Sequence, residues 1–178
     1  MRKLALFIVI ISLTALCSCG GGADDAEILS ALDELAPKAY ELYEIVYGDA
    51  LPHGEVEEDG YAKVSENAEY QSTAELQAAL FEVFTPEYCQ IISNTAFGGV
   101  SVEEGTVYAK FGEDETGFYV NPSATDNFAK PRQFDTSTAT VTRKTHFIAE
   151  ILIEHEDGDI TVTLYNFRGK WLIDSPLF

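Results

Sequence analysis

The chain predicts an α+β fold, with N-terminal helices packed on one face of a curved antiparallel sheet. Two observations carry this. Up to the Gly98-Gly99 pair the apolar residues recur every three or four positions, and beyond it they recur every second position. The later runs are also joined by short turn signals, which make sequential strands antiparallel neighbours rather than parallel ones separated by helices.

Taken in order, the first element belongs to export rather than to the fold. Arg2 and Lys3 precede an apolar run from Leu4 to Leu16. That run is long enough for a signal-peptide core and short of the ~20 residues a permanent membrane helix needs. Leu16-Cys17-Ser18-Cys19-Gly20 then resembles the lipobox of bacterial lipoproteins, with small Ser18 before the cut and Cys19 taking the lipid. The expected organisation is a lipoprotein signal over residues 1–18, a lipidated Cys19 with a flexible tether over 19–26, and a single α+β domain over 27–178. Such a protein would sit lipid-anchored on the extracytoplasmic face of a bacterial membrane.

Composition narrows the partners. The chain carries 11 basic and 30 acidic residues, a formal charge of −19. Loss of Arg2 and Lys3 with the signal would make it more negative still, a surface that repels nucleic acid and anionic headgroups. Cys89 would be the one cysteine left beside Cys19, so no internal disulfide is expected and the core must supply the stability. It lies in an apolar stretch and reads as a buried small hydrophobe.

From Asp25 to Val46 the residues Ile28, Leu29, Leu32, Leu35, Ala39, Leu42, Tyr43 and Val46 make one helical stripe, which Gly48 ends. Pro37 predicts either a kink or a turn with the helix starting there. Residues 53–71 are acidic and turn-rich, a loop with one short extended piece around Tyr61. Ser72-Thr73-Ala74-Glu75 is a capping box, opening a helix whose buried stripe is Leu76, Leu80, Val83 and Phe84. Thr85-Pro86-Glu87 is a second start signal, for a third helix ending at Gly98.

In the second half, Thr106–Phe111 and Gly117–Val120 read as a hairpin closed by residues 112–117, and Thr138–His155 as one long extended run. The Asp-Gly of residues 156–159 turns it into Ile160–Arg168, with Ile160, Val162 and Leu164 on one face. Arg168-Gly169-Lys170 leads into a last strand, where Trp171 and Ile173 face inward.

This layout looks like the cystatin-like group of small α+β folds. More narrowly, the N-terminal helix ending near Gly48, "YAKVSE" at 61–66, "STAELQAALFEVFTPEY" at 72–88, a strand holding Tyr108, and "GKWLIDSPLF" at 169–178 resemble the IseA-type family of inhibitors of bacterial cell-wall D,L-endopeptidases. The resemblance implies a protein that docks on a cell-wall cysteine endopeptidase and blocks its cleft. The alternative is an envelope lipoprotein that binds a small ligand or has a structural role, with an apolar cavity between the helix at 72–84 and the sheet.

The candidate partner-binding residues are the acids at two turns: Glu113, Asp114 and Glu115 in one, Glu156, Asp157 and Asp159 in the other. They could steer a basic partner, or simply solubilise the turns. Neither turn has the ligand order of a calcium loop. His146 and His155, nine residues apart on one expected strand, would point to opposite faces, so no metal is expected. No catalytic motif of known spacing is present and no cofactor is expected. Tyrosines at 40, 43, 88, 108 and 119 could line an apolar pocket of the kind some isomerases use, but they fit core and rim packing better. The reading is therefore of a binding protein rather than an enzyme.

Overall fold

In a computed structural model, residues 23–98, 101–103, 106–129 and 133–176 are described; the signal, Cys19 and the start of the expected tether lie outside them. Among the described residues the fold is α+β, with three helices and antiparallel strands, all but one two-residue strand following the helices. Helix α1 spans Asp25–Tyr47, α2 Thr73–Val83 and α3 Pro86–Phe97. Among the described residues no helix is long and apolar enough to cross a membrane.

Helix α1 runs through Pro37 without a break. Eleven of its residues, from Ile28 to Tyr47, are buried, and the packing of that stripe outweighs the ~3 kcal/mol a mid-helix proline costs. Asp24 caps its start, accepting the Glu27 N–H at 2.7 Å, so the helix begins inside the stretch read as tether.

The Ser72 cap forms as expected, its hydroxyl accepting the Glu75 N–H at 3.2 Å. The Glu75 carboxylate reaches one residue further back, to the Gln71 N–H at 2.7 Å. Thr85 caps α3 through the Tyr88 N–H at 3.2 Å. Its own N–H donates to the Ile173 carbonyl at 2.9 Å and its hydroxyl to the Asp174 carboxylate, so the closing "ID" of the chain locks the start of α3 to the last strand.

The strands pair in three sets. The largest is a four-stranded antiparallel sheet of β6 (Thr140–Lys144), β7 (Ile148–Ile153), β8 (Ile160–Phe167) and β9 (Lys170–Ile173), in that order. Ala149 pairs with Leu164 and Ile151 with Val162, which puts the alternate residues Ala149, Ile151, Ile153, Val162 and Leu164 on one buried face. Helix α1 packs on β6 and β9, and α2 on β9. The space between α2 and the sheet is filled by Leu76, Leu80, Val83 and Phe84, all buried, each contributing about 1.5–3 kcal/mol by leaving water.

The expected single strand over 138–155 is instead a hairpin. Thr145 breaks it: its hydroxyl accepts the N–H groups of Phe147 (3.2 Å) and Ile148 (3.0 Å), a turn made by a threonine with no glycine or proline to announce it. His146 therefore sits in the turn and His155 beyond the far end of β7, not on one strand. Likewise the expected strand 106–111 divides. The segment Thr106–Tyr108 (β3) pairs with Ser101–Glu103 (β2), while Phe111–Asp114 (β4) pairs with Gly117–Val120 (β5). Val120 and Tyr119 also pair with the two-residue strand β1, Ala62–Lys63, the short extended piece expected near Tyr61.

Lys110, just before β4, lies fully buried. Its ammonium donates to the carbonyls of Gly48 (2.7 Å) and Pro122 (2.9 Å). This joins the end of α1, the root of the β4–β5 hairpin and the 3-10 turn at Pro122–Thr125.

Candidate functional site

The pairing of β1 with β5 brings the loop at 57–61 beside the β4–β5 hairpin. Between them lies an open cleft of about 360 Å³, lined by Glu57, Asp59, Tyr61, Gly112, Glu113, Asp114 and Tyr119. The Tyr61 hydroxyl donates to the Ala109 carbonyl at 2.9 Å and its N–H to the Asp59 carboxylate at 3.0 Å, which shapes the loop side.

The acids of the first turn are held by specific bonds. Glu113 accepts the N–H (3.0 Å) and hydroxyl (2.6 Å) of Thr73, the first residue of α2. Its carboxylate thus lies at the positive end of that helix. Asp114 accepts the N–H (2.7 Å) and hydroxyl (2.6 Å) of Thr116 and the Gly117 N–H (3.2 Å). The Thr73 bonds hold Glu113 below the usual carboxylate range, and the Thr116 bonds do the same for Asp114. Lys63 flanks the turn, its ammonium on the Thr116 carbonyl at 2.9 Å. Glu115 is exposed at the apex. Among the described residues no three of His, Cys, Asp and Glu converge as a metal site requires; the four carboxylates line the cleft as a charged wall.

The second acidic turn belongs to the four-stranded sheet and contributes nothing to this cleft. There the Asp159 carboxylate accepts the His155 N–H at 3.1 Å, and the Asp157 N–H donates to His155 Nδ1 at 3.1 Å. Glu156 is exposed. Sequence reasoning paired the two turns by composition. It missed Glu57, Asp59 and Tyr61, which reach Glu113 only through a strand pairing across more than fifty residues.

A second, apolar cleft of about 550 Å³ lies elsewhere, between the end of α1, α3 and the C-terminal residues. Tyr47, Tyr88, Ile91, Thr95, Phe128 and Asp174 are among its walls. The hydroxyls of Tyr43 and Tyr88 bond to each other at 3.2 Å, and burial pushes Tyr88 up to about 12. Tyr40 instead accepts the Phe134 N–H at 2.9 Å, and the side chain of Tyr108 is not described. Cys89 is buried at 0% exposure and its thiol is pushed up to about 12 by that burial. Comparison of the chain with protein families, with curated proteins and with solved structures finds no match in any of the three. The chemistry of the clefts is therefore argued from their own residues.

Proposed function

We propose that this protein is a docking module: an extracytoplasmic lipoprotein, anchored through Cys19, that captures a basic segment of a cell-wall cysteine endopeptidase and restrains it. One observation carries the docking part of this reading. Four carboxylates, two of them kept ionised by threonine hydrogen bonds, line one open cleft between two tyrosines. Such a wall steers a cationic partner from a distance, and the tyrosine rings add contact area on arrival. The choice of endopeptidase comes from the family resemblance, and the anchoring from the lipobox-like Cys19. Titration of the lipid-free chain into such an enzyme, with muropeptide hydrolysis followed at low and high salt, tests it. Saturable inhibition that weakens with salt is expected; unchanged hydrolysis at micromolar excess would sink the inhibitor reading.

A small-ligand role is the second reading, favoured by the apolar cleft at Tyr47, Ile91 and Phe128. A hydrophobic fluorescent probe displaced by Ile91→Arg, with no effect of Glu113→Gln, would move the assignment there.

A further inference from the structure

The acidic cleft occupies one end of α2; the other end leads to a surface of different character. At the tip where the β6–β7 and β8–β9 turns meet, Phe147 is 62% exposed, Ile148 40% and Phe167 39%. The Asn166 N–H donates to the Phe147 carbonyl at 2.7 Å, and Ile148 pairs with Tyr165, so the two turns are adjacent. Because Ala149 and Leu164 face the core, Ile148, Tyr165 and Phe167 share the opposite, outward face. Phe147 stands in the adjoining turn, so three exposed apolar side chains gather at one end of the sheet on an otherwise strongly acidic protein.

Four basic side chains rim it. Arg143 pairs with Glu150 at 3.3 Å, Lys144 with Asp25 at 2.8 Å and Lys170 with Glu82 at 2.7 Å. Arg168 lies over the Phe167 ring, 5.2 Å from its centre. Three of the four cations are balanced by carboxylates, so the tip is close to neutral. That charge suits neither a nucleic acid nor a basic protein. Exposed rings with long cationic side chains beside them match the boundary between headgroups and acyl chains, where the rings enter and the charged ends stay in water.

The chain outside the structure meets the domain at this same place. Residues 1–22 join at Ala23, immediately before α1. The start of α1 is fastened to the tip by the Lys144–Asp25 pair and by the Trp171 indole N–H on Glu27 at 3.2 Å. Asp24 lies five positions after Cys19, a reach of about 17 Å at full extension.

We propose that the Phe147–Ile148–Phe167 tip is a membrane-contact surface that lies on the lipid bilayer and sets the orientation of the domain. The proposal rests on lipidation of Cys19, because the short tether supplies the high local concentration that lets three apolar side chains suffice. The orientation has a consequence for the cleft. Glu113 bonds to Thr73 at the first residue of α2, while Lys170 pairs with Glu82, nine residues along. At 1.5 Å per residue the two attachment points are about 14 Å apart along the helix, and the acidic cleft is held off the lipid, toward the wall.

The full chain, produced in an exporting bacterium and reconstituted into phosphatidylcholine vesicles, separates the two claims. The mass of its N-terminal peptide reads whether Cys19 carries lipid. Amide exchange of residues 145–149 and 165–169 reads the tip. With lipid on Cys19, exchange at both turns is expected to slow several-fold against the lipid-free chain in buffer. That protection should vanish in the Phe147→Ser/Phe167→Ser variant with its thermal unfolding unchanged, and should survive Ile91→Ser, an exposed residue elsewhere. Lipid on Cys19 with unprotected turns would overturn the contact surface and leave the anchor standing. Unlipidated Cys19 would fail the anchor and the tip proposal with it. Protection that rises with protein concentration at constant lipid would assign the patch to a second copy and overturn the membrane assignment.

Discussion

The turns at 112–117 and 156–159 are written in nearly the same letters, and the fold treats them differently. Glu113 reaches out of its hairpin to cap α2, and its neighbours face a loop some fifty residues earlier in the chain. Asp157 and Asp159 bond to His155, within their own turn. A carboxylate becomes part of a surface when a second element is folded against it; otherwise it serves the local backbone. The first hairpin has such neighbours because Lys110 roots it in the interior, and the second is simply the end of a strand pair.

The largest test of that contrast is Lys110→Met. It leaves the buried Gly48 carbonyl and the half-buried Pro122 carbonyl without this donor and should lower the unfolding free energy by about 3 kcal/mol, read as a shift of the urea midpoint. A midpoint within error of the parent would show that the hairpin is held by strand pairing alone, as the second one is. Next in size is Glu57→Gln with Asp59→Asn. If the cleft steers a basic partner, association should slow about tenfold at low salt and lose most of its salt dependence, measured by stopped flow. The matching pair Glu156→Gln with Asp157→Asn should leave the rate alone, and equal slowing by both pairs would mean that only net charge matters.

A smaller effect separates the turns by backbone. Gly158 has φ of +114° and open space where a Cβ would go, whereas Gly117 at +152° would place a Cβ 2.9 Å from the Lys63 side chain. Gly158→Ala should cost about 1 kcal/mol from strain alone, and Gly117→Ala more, because Lys63 must also leave Thr116. Equal thermal shifts would remove the distinction. The smallest effect is in acid. The folded state holds Glu113 below its ordinary range, so its contribution is present above the unfolded pKa and is lost as pH falls through the folded one. Melting curves of the parent and Glu113→Gln should differ at neutral pH and converge as the pH falls below the ordinary glutamate range.

The helices were legible because their signals are local. Ser72 with Glu75 and Thr85 with Pro86 mark their caps within four residues, and the stripe from Ile28 to Val46 needs no distant partner. The breaks in the strands were not. Thr145 makes a turn with its hydroxyl that the surrounding alternation hides, and Lys110, a charged residue between strand-like segments, turns inward rather than out. Half of the cleft was visible as Glu113 and Asp114. The other half depends on which strand β1 chooses, and nothing near Tyr61 says that the choice is β5. The exposure of Phe147 follows from the same Thr145 turn and has no mark of its own in the sequence.

Cys89, buried on the inner side of α3 with its thiol 3.6 Å from the Phe84 carbonyl, also makes the molecule its own clock. A thiol with no exposure and so high a pKa is invisible to alkylating reagents until the helices part. In a chain stripped of its leader, the rate at which Cys89 is labelled therefore counts how often the interior opens. It supplies, with a side chain the protein already carries, a stopwatch for how long the fold stays closed.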